Sequence, residues 1–248
     1  MRDFLSRASP SELTAWIPRG TPVYSQYIPA IPPATVADGL QQPSAGRSFA
    51  ATFSPMKRDP AHPVVHVEYP DWVDSVVDWK RVYPTDEERM RLAIAVARVN
   101  VERATGGPFG AAIFEAPSGR LVAVGMNSVV RLSNCTLHGE MMAFMMAQAR
   151  VASFTLNAPH LPVHELYTSC EPCAMCLGAT LWSGVQRVVY GATREDASKL
   201  NFDEGPVFPE SYHYLEKRGI RIVRSVLRDE ARAVLEMYRA KGGKIYNR

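Results

Sequence analysis

The 248-residue sequence has no long apolar run, few cysteines and no cluster of basic residues. No stretch approaches the roughly 20 apolar residues that a membrane-spanning helix requires, so we do not expect an integral membrane protein. The N-terminus also lacks the apolar core of about 7–15 residues that is typical of a secretory signal. Lys and Arg total 28 against 25 Asp and Glu, and this net charge of +3 is too small to indicate nucleic acid as a partner.

The four cysteines are too few for the disulfide framework of a secreted domain. Cys173 and Cys176 lie three residues apart. Clustered cysteines in a reducing compartment more often bind a metal or take part in catalysis. We therefore expect a cytoplasmic protein in which this pair has a chemical role.

Proline is concentrated at one end of the chain, with ten of the nineteen prolines in residues 1–63. Such a stretch cannot sustain a long helix or a central strand, because proline lacks the backbone N–H and fixes φ. Residues 64–79 are richer in apolar and aromatic side chains. We predict a proline-rich arm over residues 1–80, partly docked or disordered, followed by one domain over residues 81–248.

From Pro84 onward the sequence alternates helical and strand-like segments. Thr85 and Glu88 have the spacing of a capping box, and apolar residues then recur on one helical face. The predicted strands cover residues 109–116, 121–129, 164–169, 187–192 and 220–227, with further helices over about 138–150, from 173, over 211–218 and over 229–241. This order predicts an α/β fold, a three-layer α/β/α sandwich around a five-stranded mixed sheet.

Two motifs in this region indicate a metal site. His138 and Glu140 begin one predicted helix, while Cys173 and Cys176 begin another, directly after a strand. One imidazole and two thiolates leave the fourth tetrahedral position open, which is typical of catalytic zinc. We expect one Zn²⁺ per subunit with water or hydroxide as its fourth ligand, and Glu140 as the residue that carries protons.

Other interpretations of these cysteines are open from the residues alone. A Cys-x-x-Cys after a strand is also typical of a thioredoxin-like redox motif. A closed structural zinc site needs a fourth protein ligand, which Cys135 or Cys170 could supply. The His-x-Glu motif at the start of a separate helix favours the catalytic zinc site over both.

His138-x-Glu140 together with Pro172-Cys173-x-x-Cys176 is the known signature of zinc-dependent base deaminases. From Thr85 to the C-terminus the chain resembles the cytidine deaminase-like superfamily, and it is most similar to bacterial guanine deaminases. The residues that carry this second resemblance are Gly106–Gly110, Gly125–Asn127, Thr168–Cys173, Asn201–Gly205 and Gly243–Asn247.

The resemblance implies hydrolytic deamination of guanine to xanthine and ammonia, with specific roles for five residues. Asn127 would hydrogen-bond the purine ring, and Phe109 and Phe202 would pack on its faces. Asp203 or Glu204 would accept hydrogen bonds from N1–H and the 2-amino group, and Glu204 would share the proton transfer. A carboxylate complements guanine, whereas it repels the acceptors that cytosine presents.

The resemblance also implies a homodimer in which the C-terminal segment, including Tyr246, closes over the partner's pocket. The backbone N–H of Gly139 would hold the substrate oxygen; glycine stands where the family usually has alanine or valine, which leaves the width of the pocket open. Alternative substrates are a cytosine-type nucleoside or nucleotide, another aminopurine or nucleoside, and the adenosine of a tRNA. A zinc-stabilised module without activity is a further alternative, and Glu140 argues against it.

Overall fold

The computed structural model describes residues 64–247. The predicted arm over residues 1–63 lies outside the described residues. Five strands are present in the described chain: β1 Gly110–Glu115, β2 Leu121–Met126, β3 His164–Cys170, β4 Arg187–Ala192 and β5 Arg221–Val223. They form one mixed sheet in the order β2-β1-β3-β4-β5. Strand β1 is antiparallel to both β2 and β3, and β3, β4 and β5 are parallel.

Helices cover both faces of this sheet. They are α1 Val73–Val76, α2 Asp86–Glu102, α3 Gly139–Arg150, α4 Ala174–Ser183, α5 Arg194–Ser198, α6 Pro209–Lys217 and α7 Arg228–Ala240. Alternate residues of each strand face opposite sides. Ala112 and Phe114 of β1 therefore join the core under α2 and α7, while Ala111 and Ile113 join the core under α3, α4 and α6. The predicted three-layer α/β/α sandwich is confirmed.

The local sequence of helix α2 explains where the helix begins and which face is buried. The Thr85 hydroxyl accepts a 3.2 Å hydrogen bond from the Glu88 N–H, and the Glu88 side chain accepts from the Thr85 N–H, so the predicted capping box is formed. Apolar side chains on one face, including Met90, Ala93 and Ala97, are fully buried against the sheet. The cap begins the helix, and burial of this face holds it in place.

Four elements differ from the sequence prediction. The strand predicted over residues 121–129 ends at Met126, and the short helix α1 was not predicted. The strand predicted over residues 220–227 ends at Val223, because Ser225 and Leu227 have φ values of 61° and 54° and turn the chain before α7. Helix α5 was not predicted. Its N-cap Thr193 and Asp196 nevertheless form a capping box, a three-residue spacing that is visible in the sequence.

Residues before α2 pack against this sheet. The Tyr69 hydroxyl donates to the Val124 carbonyl of β2 at 3.0 Å, and the Trp72 indole donates to the Thr105 hydroxyl at 3.0 Å. Trp72, Val73 and Val77 are buried in the core beside α2. A domain boundary at residue 80 stays a prediction. Among residues 64–247, no helix has both the length and the apolar character needed to cross a membrane.

Candidate active site

His138 and Glu140 stand at the first turn of α3. His138 is the N-cap residue, with extended backbone angles of φ −69° and ψ 165°, and Glu140 follows inside the helix. A Cβ at Gly125 of β2 would collide with the backbone of Gly139 and Ala143. Glycine at position 125 therefore lets the start of α3 approach the sheet, which fixes where these two functional side chains lie.

The two cysteines stand at the matching end of α4. Cys173 is the N-cap residue of that helix and Cys176 lies in its first turn. The Nδ1 atom of His138 lies 3.4 Å from the Cys173 Sγ, and one ligand atom each of His138, Cys173 and Cys176 lie within 4.8 Å of one another. Cys135 is exposed and the Cys170 Sγ donates to the Thr193 carbonyl, so neither belongs to this group.

The donor chemistry of this group fits zinc. Hydrogen bonds from Cys176 and then from His138 lower the pKa of the Cys173 thiol to about 4. The pKa of Cys176 is raised well above its usual value, because its thiol donates to the Cys173 thiolate and is buried. Two sulfurs and one imidazole are the donor set of catalytic zinc sites that keep one position for water. A dithiol redox pair does not require an imidazole beside both sulfurs, whereas a metal site uses it as a third ligand. The position of His138 therefore favours the metal site over the redox motif.

Glu140 lies beside the metal ligands and outside their group. Its side chain is buried, and its Oε1 accepts a 3.1 Å hydrogen bond from the Thr168 hydroxyl of β3. Burial, and secondarily the Cys173 thiolate, raises the pKa of the Glu140 carboxyl. A bound zinc ion acts in the opposite direction, because its positive charge favours the carboxylate. The carboxyl group is therefore held at a fixed position where it can exchange a proton.

Asn127 lies at the end of β2 and presents a free donor. Its Oδ1 accepts from the Gly107 N–H at 3.2 Å, while its buried Nδ2 has no hydrogen-bond partner among the described residues. Asn100 donates to both the Gly107 and Asn127 carbonyls at 2.9 Å. A Cβ at Gly106 would collide with the Asn127 carbonyl, so glycine is required for this close approach. A buried amide without a partner is typical of a ligand-binding donor.

Three aromatic rings gather around the site. The rings of Phe109 and Phe202 are 5.0 Å apart in an edge-to-face arrangement. Tyr246 lies 5.3 Å from Phe202 and 6.2 Å from the His138 imidazole, measured between ring centroids. The structure thus brings Phe109, Phe202 and Tyr246 together, although they are separated by up to 137 positions in the sequence.

The structure separates the two predicted acidic residues of the loop after α5. Glu204 is buried and lines the cavity beside His138, and burial raises the pKa of its carboxyl to about 8. Asp203 is exposed, and its Oδ1 accepts from the Gly205 N–H at 2.9 Å. The cavity lining includes Glu204 and not Asp203.

The C-terminal segment closes this cavity. Tyr246 and Asn247 line it, and the remaining space is about 10 Å³, which is room for about one water molecule. The Asn247 amide donates to the Asp203 carbonyl at 2.7 Å, and the Asp203 N–H donates back to the Asn247 carbonyl at 2.9 Å. A purine base is larger than this space, so the lining must open before a base can enter. In this single chain the segment closes its own cavity, and its exchange with a partner stays a prediction.

Sequence reasoning missed Glu171 and Asn247, which both line the cavity. Glu171 accepts from the Tyr212 hydroxyl at 2.6 Å and from the Arg194 N–H at 3.0 Å, so it ties α5 and α6 to the site. The signal available in the sequence was its position between Cys170 and Pro172.

Gly139 lies against the backbone of Phe109. A Cβ at position 139 would lie 3.3 Å from the Phe109 carbonyl oxygen, so the methyl group of an alanine would contact backbone there.

The fold and this site define a zinc-binding hydrolytic deaminase. Residues 84–192 match the family model of the cytidine and deoxycytidylate deaminase zinc-binding region. The chain is 37% identical over 134 residues to a guanine deaminase of Bacillus subtilis, covering 54% of this chain and 81% of that protein. The chain belongs to this deaminase family, whose members hydrolyse C–N bonds of cyclic amidines.

Two further relatives show the breadth of the family. A solved guanine deaminase from Nitrosomonas europaea is 40% identical, with a TM-score of 0.68, and the match covers 71% of this chain and 97% of that one. A tRNA-specific adenosine deaminase of Buchnera aphidicola is 28% identical over 119 residues, covering 48% of this chain and 72% of that protein. The similarity to bacterial guanine deaminases that the sequence motifs predicted is therefore confirmed.

Proposed function

We propose that this protein hydrolyses guanine to xanthine and ammonia, with one zinc ion per subunit held by His138, Cys173 and Cys176. The observation that carries the substrate is the buried Glu204 carboxyl, which lines the same small cavity as His138 and Glu140. The 37% and 40% identity to two bacterial guanine deaminases supports the same substrate. A cytoplasmic location stays a prediction.

Base recognition is assigned to Glu204, which lines the cavity, and to Asn127, which is buried at the end of β2 and is not part of the cavity lining. Guanine has donors at N1 and at the 2-amino group, and an ionised Glu204 accepts from both. The unpartnered Nδ2 of Asn127 donates to an acceptor of the purine ring. A base with acceptors at the matching positions would leave buried groups unpaired, which discriminates steeply between substrates. Asp203 is exposed, so we assign this role to Glu204.

Ring placement is the role of the aromatic residues. Phe109 and Phe202 lie edge to face and are proposed to contact the purine faces. Tyr246 occupies the space beside His138 and is proposed to cover the bound base after it has moved aside for entry. The Gly139 N–H, at the start of α3, is proposed to donate to an oxygen of the reacting base.

Proton transfer is the role of Glu140. When bound, zinc acts as a Lewis acid that makes water a nucleophile near neutral pH. Glu140 takes the proton that water loses as its oxygen adds to C2, and passes it to N3. Glu140 then carries the proton of the new C2 hydroxyl to the 2-amino group, the bond between C2 and that nitrogen breaks as C2=O forms, and xanthine and ammonia leave. Glu204 is placed to share this transfer, because its carboxyl group lines the same cavity as Glu140.

A panel of bases tests this proposal. Purified full-length protein with stoichiometric zinc is incubated with guanine, cytosine, adenine, guanosine and an adenosine-containing tRNA, and ammonia release is followed. We expect turnover of guanine at least about 100-fold above the others, as expected for discrimination by buried hydrogen bonds. Turnover of cytosine or tRNA without turnover of guanine would show that the substrate assignment is wrong.

The surface of residues 64–247 gives little support to the tRNA alternative. The candidates for a basic surface are Arg218, Arg221, Arg224 and Arg228, and all but Arg218 lie within 4.0 Å of a carboxylate. Arg228 is 2.8 Å from Asp196, whose side chain is fully buried. Paired guanidinium groups are less available to phosphates than a free cationic patch.

The protein is proposed to act as a homodimer. Helix α4 contains no charged residue, and Trp182 at its end is 76% exposed. Met145, on the adjacent helix α3 of the same layer, is also exposed. Exposed apolar side chains on one layer are typical of a self-complementary interface. The C-terminal segment with Tyr246 could then be exchanged between subunits.

A further inference from the structure

A second cavity, of about 610 Å³, lies apart from the catalytic residues. It opens where the C-terminal end of α2, the loop after β2, the end of α7 and the C-terminal segment meet. Its volume lies in the range of about 300–1,000 Å³ that is usual for small-molecule sites. The space left in the catalytic cavity is far smaller, at about 10 Å³. The proposed deamination reaction does not use this larger cavity. We call it the α2/α7 groove.

One wall of the α2/α7 groove is apolar. Val101 and Ala104 come from the end of α2, Val130 comes from the loop after β2, and Tyr238 comes from α7. Val130 is 45% exposed and Ala104 is also exposed, while Val101 and Tyr238 are buried in the core. An apolar wall of this kind is suited to one face of an aromatic ring.

The rim of the groove is cationic. Arg131, Lys241 and Lys244 line it, and Glu102 is the one acidic residue in the lining. Three positive charges against one negative charge leave a net charge of +2. Arg131 donates to the Glu68 carbonyl at 2.7 Å, but its buried Nε has no hydrogen-bond partner among the described residues. An anion complements this rim, because it supplies acceptors and charge together.

The groove is connected to the catalytic cavity through Tyr238. The Tyr238 hydroxyl donates to the Lys244 carbonyl at 2.7 Å, and Lys244 lies two residues before Tyr246. On its other side the Tyr238 ring stacks on Phe202, with centroids 6.1 Å apart and planes 26° apart. A ligand held by Lys244 therefore acts on the segment that closes the active site.

We propose that the α2/α7 groove binds a nucleoside monophosphate, with its base on the Val101–Val130 wall and its phosphate between Arg131, Lys241 and Lys244. The binding site does not depend on the proposed substrate. Occupancy holds the Lys244 segment in the closed position, so it hinders the opening of the cavity lining at Tyr246. The ligand is an inhibitor that acts from outside the catalytic cavity.

Direct binding tests the site. Full-length zinc-loaded protein is titrated calorimetrically with inosine 5′-monophosphate, which has no exocyclic amino group to lose, and separately with hypoxanthine and inorganic phosphate. We expect the monophosphate to bind at least about tenfold more tightly than either fragment, since it engages both the wall and the rim. Equal affinity for inorganic phosphate and the monophosphate would overturn the nucleoside assignment.

Matched charge reversals locate the binding. Lys241→Glu removes a rim cation that lies outside the catalytic cavity, and Lys217→Glu changes an exposed lysine at the end of α6. Lys241→Glu should weaken monophosphate binding at least about tenfold and Lys217→Glu should not. Equal binding by both variants would overturn the site.

Kinetics test the inhibitory role. In the zinc-loaded enzyme, the monophosphate should raise the KM for the base that is turned over, and Lys241→Glu should abolish this effect while keeping the basal rate. Binding that leaves KM and kcat unchanged would overturn the connection to Tyr246, and it would leave the proposed substrate untouched.

Discussion

The Thr168 hydroxyl donates a 3.1 Å hydrogen bond to the Glu140 carboxylate, although the two residues lie 28 positions apart. Thr168 is on β3, where it pairs with Ala111 of β1, and Glu140 is in the first turn of α3. Both side chains are buried. The central strand of the sheet therefore helps to orient the Glu140 carboxylate, the proposed proton carrier.

Thr168→Val should reduce turnover with little effect on metal content. Removing one hydrogen bond to a buried carboxylate costs about 1–3 kcal/mol, so we expect kcat to fall about tenfold. Thr155→Val, which changes a threonine of the loop after α3, is the control and should keep full activity. Loss of zinc in Thr168→Val would indicate a structural role instead.

Glu140→Gln should separate metal binding from proton transfer. The amide keeps the size of the side chain but cannot take up a proton, so kcat should fall about 10²–10⁴-fold. Zinc content, measured by atomic absorption, should stay at one ion per chain, because Glu140 is outside the ligand group. Cys176→Ala, by contrast, should lose zinc as well as activity. Full activity in Glu140→Gln would contradict the proposed mechanism.

Glu204 and Asp203 can be compared directly as base-recognition residues. Glu204→Gln replaces an acceptor-only group inside the cavity, so kcat/KM for guanine should fall about 100-fold. Asp203→Asn changes an exposed carboxylate and should have an effect below about threefold. Steady-state kinetics with guanine distinguish the two. The reverse order would assign the recognition role to Asp203.

The Asp196 carboxylate should stabilise the fold at neutral pH and lose this effect at acid pH. Hydrogen bonds from the Arg228 guanidinium hold the pKa of this buried carboxyl well below its usual range. A lowered folded-state pKa stabilises the fold above the unfolded value of about 3.9, and this contribution is lost as pH falls through the folded-state pKa. Asp196→Asn should therefore lower the Tm by several degrees at pH 7, and the difference should shrink only below about pH 4.

The control for this prediction is Asp229→Asn, since the Asp229 side chain is 88% exposed and its ion pair within residues 64–247 is with Arg232 at the surface. Its Tm should match the parent protein across the pH range. Differential scanning calorimetry from pH 3 to pH 8 makes the comparison. A Tm difference for Asp196→Asn that is largest at pH 3 would contradict the sign.

Trp182→Glu should dissociate the proposed homodimer. A charge on the uncharged face of α4 costs desolvation in an interface but little at a free surface. Analytical ultracentrifugation should show a dimer for the parent protein and a monomer for Trp182→Glu. Val82→Glu changes another exposed apolar residue, outside α3 and α4, and should keep the parent's state. A parent protein that sediments as a monomer at all concentrations would exclude the dimer.

The sequence predicted the sheet and most helices because their signals are local. The Thr85 cap, the apolar face of α2 and the alternation along the strands each depend on residues a few positions apart. Short elements were not predicted correctly. Strand β5 ends early, before the turn at Ser225, and the unpredicted helices α1 and α5 have only four and five residues. In such segments one turn residue decides the structure, and a periodic pattern has no length in which to appear.

For the site, the sequence by itself predicted the metal donors and the proton carrier, because His138, Glu140, Cys173 and Cys176 lie at two helix starts with fixed spacing. It left open which acid faces the base. Only the tertiary structure showed that Glu204 is buried in the cavity while Asp203 is exposed, and that Tyr246 and Asn247 line the cavity of their own chain. The burial of Glu204 and the closure of the cavity depend on contacts between segments that are distant in the sequence. The spacing of neighbouring residues does not report on such contacts.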